Sequence, residues 1–403
     1  MRIIHTADWH LGQVFHDYDR TGEHNRFLAW LLETLGAEAA DALLVAGDIY
    51  DHANPSAAAQ KVLYSFLSEA RRCYPHLNIV LVSGNHDSTA RFEAPAPVLE
   101  GFGMNVLGQV PRDAGGGIDL TRLCLPLQDR AGRTVAWCLA VPFLRSGDLP
   151  TTTPAVSYPE RVGRLYADLM SMVLARREAG QGLVALGHCH VEGALVTHDP
   201  ERPIVVGGVD ALERNMFDPR LAYVALGHLH RAQEVGTPHI RYSGSPMPLS
   251  FSEVDYPHQV VRVDLDGEDL DEVRAIPVPC FARLLRLPDL PAGLETVVSM
   301  LRSHDFEESE GGLRPYLEVL VQLDGPTPGL RARIEEALAN KPVHLAKITS
   351  SYAATPKGVE ERQVPSADAL VYRLVSGDHR SGASPARNAR ISRSTSAGFE
   401  MKM

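Results

Sequence analysis

The chain has 403 residues, 44% of them hydrophobic and 22% charged, with a formal net charge of −11 at pH 7. That length exceeds one ordinary core, so one large domain with one or two smaller pieces is expected. No apolar run approaches the ~20 residues of a membrane-spanning helix, and Met1-Arg2-Ile3-Ile4-His5 lacks the regions of a signal peptide, so the expectation is a cytoplasmic protein without a membrane partner.

The first half repeats an apolar run, a short polar turn and an amphipathic helix. Arg2 to Thr6 reads as a strand, followed directly by Asp8-Trp9-His10. His24 to Ala40 places Phe27, Leu28, Leu31, Leu32 and Leu35 at helical spacing, and Ala42 to Ala46 is an unalternated, buried strand ending at Gly47-Asp48-Ile49-Tyr50-Asp51. A helix is expected from Ser56 to Cys73, then the strand Asn78 to Val82, closed by Gly84-Asn85-His86-Asp87. Such alternation predicts parallel βαβ units.

From Phe102 to Val141 the texture changes to short strands and Gly/Pro turns. A helix follows from Pro159 to Glu178, with Gly180 and Gly182 as its end. The strand Leu183–Leu186 runs into Gly187-His188, and Tyr223–Leu226 into Gly227-His228-Leu229-His230. Further strands are Ile240–Tyr242 and Gln259–Leu265, and a second sheet packed on the first buries them best. Residues 1–276 are thus expected to form one domain. Past Pro277 a compact α+β unit of roughly 75 residues, 277–350, restarts the pattern. Residues 351–403 thin out in apolar residues and read as largely disordered after about 376.

Asp8 and His10 are read as alternating along an extended segment and therefore facing one way. Asp48, Asn85, His188, His228 and His230 come from other strand ends, where ligands gather in open α/β sheets. Seven nitrogen and oxygen donors without cysteine suit Mn, Fe or Zn. Asp48 is expected to bridge two ions, an arrangement that acidifies water and holds an attacked phosphate; His86 would assist the departing oxygen. His188 is preferred to His190 because it directly follows the strand-end glycine. Asp51 and Asp87 are read as turn-formers or as supports for ligands, Gly84 and Gly244 as plain turns, and the loop Gln13 to Glu23, with His16, Tyr18 and Arg20, as a candidate substrate contact. The five cysteines form no C-x-x-C pair and predict no disulfide framework.

The ordered motifs D-x-H, G-D-x-x-D, G-N-H-D, G-H and G-H-x-H resemble those of the calcineurin-like metallophosphoesterase family. Thr6-Ala7-Asp8-Trp9-His10-Leu11-Gly12-Gln13 and Ala225-Leu226-Gly227-His228-Leu229-His230-Arg231-Ala232-Gln233 look closest to its SbcD branch. The resemblance covers residues 1–350 and implies a four-layer αββα sandwich with a small α+β capping domain. It implies one ion on Asp8, His10, Asp48 and His230 and another on Asp48, Asn85, His188 and His228, with His86 catalytic. Mn²⁺ is the implied metal, with Fe, Zn and Mg as alternatives. The implied activity is 3′–5′ exonuclease and single-strand endonuclease action, with hairpin processing, on DNA in repair and recombination. An SbcC-like ATPase subunit is the implied partner, and a homodimer is a family expectation.

Two departures stand out. Archaeal and eukaryotic relatives carry a histidine where this chain has Asp51, with His52 one step further. The C-terminal segment offers only a short apolar patch around Leu370–Leu374 and then Arg380, Arg387, Arg390 and Arg393. The net negative charge also speaks against a nucleic-acid partner, although bound cations offset acidic ligands. Competing readings are a phosphatase or cyclic-nucleotide phosphodiesterase of the same fold, and a non-catalytic partner-binding scaffold.

Overall fold

The computed structural model describes residues 1–150, 156–196, 211–309 and 312–352. The apolar runs of the first half become β1 (Arg2–Thr6), the short hairpin β2 (Val14–Phe15) and β3 (Tyr18–Asp19), α1 (Thr21–Ala37), β4 (Ala42–Ala46), α2 (Ala57–Cys73) and β5 (Asn78–Val82). Two short helices, α3 (Thr89–Glu93) and α4 (Ala96–Gly101), then lead into β6 (Met104–Leu107). Ser56 starts α2 as its cap, the side chain accepting from the Ala59 amide at 3.1 Å.

The middle of the chain forms β7 (Cys124–Gln128), β8 (Thr134–Val141), α5 (Tyr158–Leu174), β9 (Gly182–His188), β10 (Tyr223–Gly227), β11 (Gln233–Val235) and β12 (Thr237–Tyr242). The helix α5 is shorter than its sequence pattern suggests. It stops at Leu174; Gly180, at φ +85°, turns the chain, and Gly182 already opens β9. A returning hairpin, β13 (Gln259–Asp266) and β14 (Asp269–Pro277), joins the first sheet. Its second strand was not foreseen, because mostly exposed, charged residues line it.

The first sheet has the order β14-β13-β1-β4-β5-β6, and the second β11-β12-β10-β9-β8-β7. In the first sheet β1, β4, β5 and β6 run parallel and the β13–β14 hairpin is antiparallel to them at one edge; in the second the central strands are parallel and both edges antiparallel. Period-two alternation in β4 explains the layering. Ala42, Leu44 and Ala46 enter a core shared with the second sheet and α5. Leu43 and Val45 enter the core made with α1 and α2. The result is the αββα sandwich, helices outside and the two sheets face to face.

Close approach of the sheets needs small residues at their carboxyl ends. A Cβ on Gly227 would lie 1.9 Å from the Ala46 carbonyl oxygen, and one on Gly84 2.1 Å from Asp48 Oδ1. Gly84 is therefore required for space and is not among the positive-φ residues; Gly244, at φ +76°, does make a turn.

The last described elements are β15 (Leu284–Gly293), α6 (Leu294–Ser303), β16 (Tyr316–Leu323), α7 (Leu330–Ala337) and β17 (His344–Tyr352). They form a parallel three-stranded sheet with its own core of Val297, Val298, Leu301, Leu317, Val319, Val321 and Ile334 among others. We refer to this unit as the cap. A small joint cluster of Phe15, Phe251, Ala282, Leu284 and Tyr316 attaches it to the sandwich. The C-terminal apolar patch and the arginines beyond it lie outside the described residues.

His5 of β1 is fully buried, its Nδ1 3.0 Å from Tyr223 Oη, and burial pushes its pKa down to about 3. In the unfolded chain the same ring takes up a proton near pH 6.5, so the unfolded state binds more protons between about pH 3 and 6.5. His5 therefore contributes stability that is full above pH 6.5 and lost as pH falls through that window. Denaturant melts in EDTA from pH 7 to 4.5 should show a shallower acid loss in His5→Gln than in the unaltered protein. Gly227→Ala should destabilise by about 1–3 kcal/mol through overpacking, read from the same melts at pH 7.

Candidate metal centre

Five strand ends meet on one rim: those of β1, β4, β5, β9 and β10. Past β1 the chain does not stay extended as its alternation suggests. Asp8 (φ 55°) and His10 (φ 46°) are both left-handed, as are Asp48 (φ 50°) and His228 (φ 105°). Four non-glycine residues in this sparsely allowed region are strained, and their neighbours hold them there. The Asp8 amide donates to Gly47 O at 3.0 Å, that of His10 to Asp48 O at 3.0 Å and that of Leu11 to Ile49 O at 2.8 Å. The His228 amide donates to both oxygens of Asp8, at 3.1 and 3.2 Å.

These backbones bring Asp8, His10 and His230 together, with one donor atom from each within 4.8 Å of the others; Asp8, Asp48 and His188 form a second such group. Asn85 Oδ1 lies 3.0 Å from His188 Nε2 and 2.9 Å from His228 Nδ1. All seven residues singled out from the sequence thus converge. By proximity Asp8 belongs to both groups. Asp48 Oδ2, however, faces one ring of each group, at 3.8 Å from His10 Nε2 and 3.4 Å from His188 Nε2.

Three of the rings are anchored alike. His10 Nδ1 is 3.1 Å from Asp51 Oδ1, His188 Nδ1 2.8 Å from Ala46 O and His230 Nδ1 2.7 Å from Glu253 Oε1. A carbonyl or carboxylate oxygen accepts, so each Nδ1 carries a proton and Nε2 is the nitrogen left to act as a ligand. Metal-ligating histidines are held in this way. With oxygen from Asp8, Asp48 and Asn85, imidazole nitrogen and no thiolate, the donor set fits a pair of divalent cations.

The charges point the same way. Burial lifts the Asp8 carboxyl to about 6 against the pull of His188 and His230. For Asp48 burial also works upward, but the charge and hydrogen bond of His188, with His10 and His86, hold it well below the usual range. Burial opposes protonation of His188, yet Asp48 and Asp8 outweigh it and raise its pKa to about 9. His228 is lowered to about 3 by burial and by the charge of His188. Buried carboxylates this close need added positive charge, which protons or cations supply.

His86 stands beside the cluster. Its amide donates to Asp48 Oδ1 at 2.9 Å, its Nδ1 donates to Asp51 O at 3.0 Å, and its ring is 4.9 Å from that of His10. Nε2 is thereby the ring nitrogen left for a substrate. Asp51 supports both histidines, while His52 is mostly exposed with Nε2 3.0 Å from Asp51 Oδ2. Asp87 accepts from the amides of Gly84, Ile49 and Tyr50 and so locks the Gly47–Tyr50 turn against the Gly84 turn; burial and the charge of Asp48 raise it to about 6. His190, half-buried, belongs to neither donor group.

In the loop Gln13 to Glu23, Arg20 is not placed to meet a substrate, whereas His16 and Tyr18 are partly exposed. The loop holds the β2–β3 hairpin, and Arg20 is fully buried, its Nε and Nη2 donating to Glu23 at 2.8 and 2.6 Å. Two site residues were not foreseen. Phe143, just past β8, sets its ring 6.0 Å from that of His188 and 6.4 Å from that of His228; its strand-end position was the available signal. Glu253 sits in a single helical turn, Phe251–Glu253, where no strand-end pattern marks it.

The chain is similar to known proteins over most of its length. Residues 1–232 match the calcineurin-like phosphoesterase family, and residues 280–370 match the family described as the type 5 capsule protein repressor C-terminal domain. A Rhodobacter capsulatus protein named as the SbcD subunit of the SbcCD nuclease is 42% identical over 373 residues, 89% of each chain. Its namesake from Escherichia coli K12 is 35% identical over 294 residues, 69% of this chain and 68% of that one. The Bacillus subtilis namesake is 34% identical over 275 residues, 66% of each. The chain belongs to the calcineurin-like phosphoesterase family, in the branch formed by these SbcD proteins.

Proposed function

We propose that this protein is a two-metal phosphodiesterase that cleaves DNA as the nuclease subunit of an SbcC-SbcD-like complex. The observation that carries the reading is the set of inward-aimed Nε2 atoms of His10, His188 and His230 around Asp8 and Asp48. The name that the relatives share, as SbcD subunits of the SbcCD nuclease, supports DNA as substrate and an SbcC-like ATPase as partner.

Asp8, His10, Asp48 and His230 would hold one ion, and Asp48, Asn85, His188 and His228 the other. Asp48 is chosen as the shared carboxylate because its Oδ2 faces both groups, whereas both oxygens of Asp8 are engaged by the His228 amide. The chemistry supplied there by two bound divalent cations, Mn²⁺ in our reading, would be a lowered pKa for water and charge compensation for the phosphoryl group. The protein's own part is to orient and to move protons. Asp51 and Glu253 keep the ligand rings in one tautomer. His86 in its imidazolium form would give its Nε2 proton to the departing oxygen and remain a neutral ring, keeping the Nδ1 proton in its bond to Asp51 O.

The net charge of −11 is offset locally by uncompensated arginines near the rim. Arg145 lies over the Phe143 ring at 5.5 Å and Arg231, next to His230, over the Tyr256 ring at 5.8 Å. Neither has an ion-pair partner among the described residues, so both can meet backbone phosphates.

His86→Ala should retain about two Mn²⁺ per chain by elemental analysis while losing roughly 10²–10⁴-fold in cleavage rate; full activity would remove its assigned role. Stripping metal with EDTA should abolish cleavage and Mn²⁺ should restore it. A hairpin oligonucleotide should be turned over in preference to a cyclic nucleotide or a phosphomonoester, and the reverse order would make the protein a small-molecule phosphatase or phosphodiesterase.

A further inference from the structure

We infer that the cap sets the orientation of His230 and so controls occupancy of one of the two metal positions but not the other. The inference rests on the two-metal reading above. The connection is the segment from Pro248 to Glu253, which has the metal centre on one side and the cap on the other.

On the metal side, Glu253 is buried and holds His230 Nδ1 at 2.7 Å; its second oxygen accepts from the Leu249 amide at 2.8 Å. The carboxylate can aim the ring only as well as the segment is itself placed. On the cap side, Phe251, two residues before Glu253, lies in the joint cluster with Leu284 and Tyr316 of the cap. Its carbonyl accepts from Arg286 Nη2 of β15 at 3.4 Å. Phe15 lies between, its ring 5.3 Å from that of Phe251 and, edge to face, 5.1 Å from that of Tyr316.

A buried polar chain runs parallel to this apolar contact. Tyr316 Oη of β16 donates to Glu23 Oε1 at 2.9 Å, and Glu23 takes two bonds from Arg20. Arg20 Nη1 donates to Pro248 O at 2.6 Å and to Gln13 Oε1 at 2.8 Å, and Gln13 Nε2 donates to Leu249 O at 3.0 Å. The segment is therefore gripped at Pro248, Leu249 and Phe251 by groups that the cap touches directly or at one remove. A buried Arg–Glu pair is a weak source of stability, since apolar replacements often do as well. Its directional bonds fix geometry instead.

The anchored ligand of the other ion, His188, has no such link among the described residues, whereas His10, assigned to the same ion as His230, accepts at its carbonyl from the Gln13 amide at 3.0 Å. His188 Nδ1 is held by Ala46 O of the first sheet, and His10 by Asp51. A cap that shifts, whether thermally or through a partner bound to it, moves Glu253 and His230 and leaves His188, His228 and Asn85 where they are.

The test is calorimetric titration of Mn²⁺ into the metal-free full chain, comparing the unaltered protein with Tyr316→Phe, which removes one hydroxyl, and Phe251→Leu, which loosens the cap contact without touching a polar group. Two binding events are expected in the unaltered protein. In each variant one should weaken by about tenfold or more, the size typical of lost support behind a ligand, with the other unchanged. Two events that both stay unchanged, or weaken equally, would overturn the coupling and leave the two-metal reading intact. A single event in the unaltered protein would overturn the two-metal reading and the coupling with it.

Discussion

The hydrogen bond from His188 Nδ1 to the Ala46 carbonyl joins the two sheets at the one place where the centre is built. His188 ends a strand of the second sheet, and Ala46 is the last residue of β4 in the first, one step before Gly47 and Asp48. The bond is short because the sheets are close, and the sheets are close because Gly227 puts no side chain, and Ala46 and Ala7 only a methyl each, into the gap. A carboxylate from one sheet and an imidazole from the other thereby come within 3.4 Å. Without that approach the seven donors would separate into four on the first sheet and three on the second, and neither of the two proposed ligand sets, each drawn from both sheets, would be complete.

Holding the donors there costs conformational energy. Four candidate ligands have left-handed backbones, each disfavoured by roughly 1–3 kcal/mol. The compensation is visible in the hydrogen bonds: the segment after β1 continues to pair with the segment after β4, through Asp8, His10 and Leu11, beyond the point where regular strand geometry ends. Asp87 adds three amide bonds that fasten the Gly84 turn to the Gly47–Tyr50 turn. The rim is thus rigid before any cation arrives, as a site with exacting ligand geometry requires.

Much of this was legible from the chain. The run Ala42–Ala46 followed by Gly47-Asp48, and the repeated glycine-histidine strand ends, revealed the parallel sheets and all seven converging donors, because strand-end chemistry is local in sequence. What was illegible was non-local. Glu253 lacks any strand-end context, and its role comes only from the segment folding back onto His230. Arg20 looked like a substrate contact since an arginine beside a ligand pair usually faces solvent, yet Glu23 and the cap bury it. Gly84 looked like a turn, since nothing local reveals that Asp48, distant along the chain, occupies the space a Cβ needs. The left-handed backbones of Asp8 and His10 were hidden too, because two residues separated by one are equally consistent with an extended chain.

The placement of β1 carries a consequence for biosynthesis. This strand lies inside the first sheet, parallel to β4 on one side and antiparallel to β13 on the other, with Arg2 bonded to Asp264 across 262 positions of sequence. On the ribosome β4 and β5 are available early, but the β13 side of β1 remains unpaired until nearly two thirds of the chain has been made. Every nascent chain therefore passes through a stage with an open, apolar sheet edge, the kind of surface that holdase chaperones shield and that aggregation exploits. Chains that stall before β13 already contain all seven donors of the centre and still lack a closed sheet to carry them.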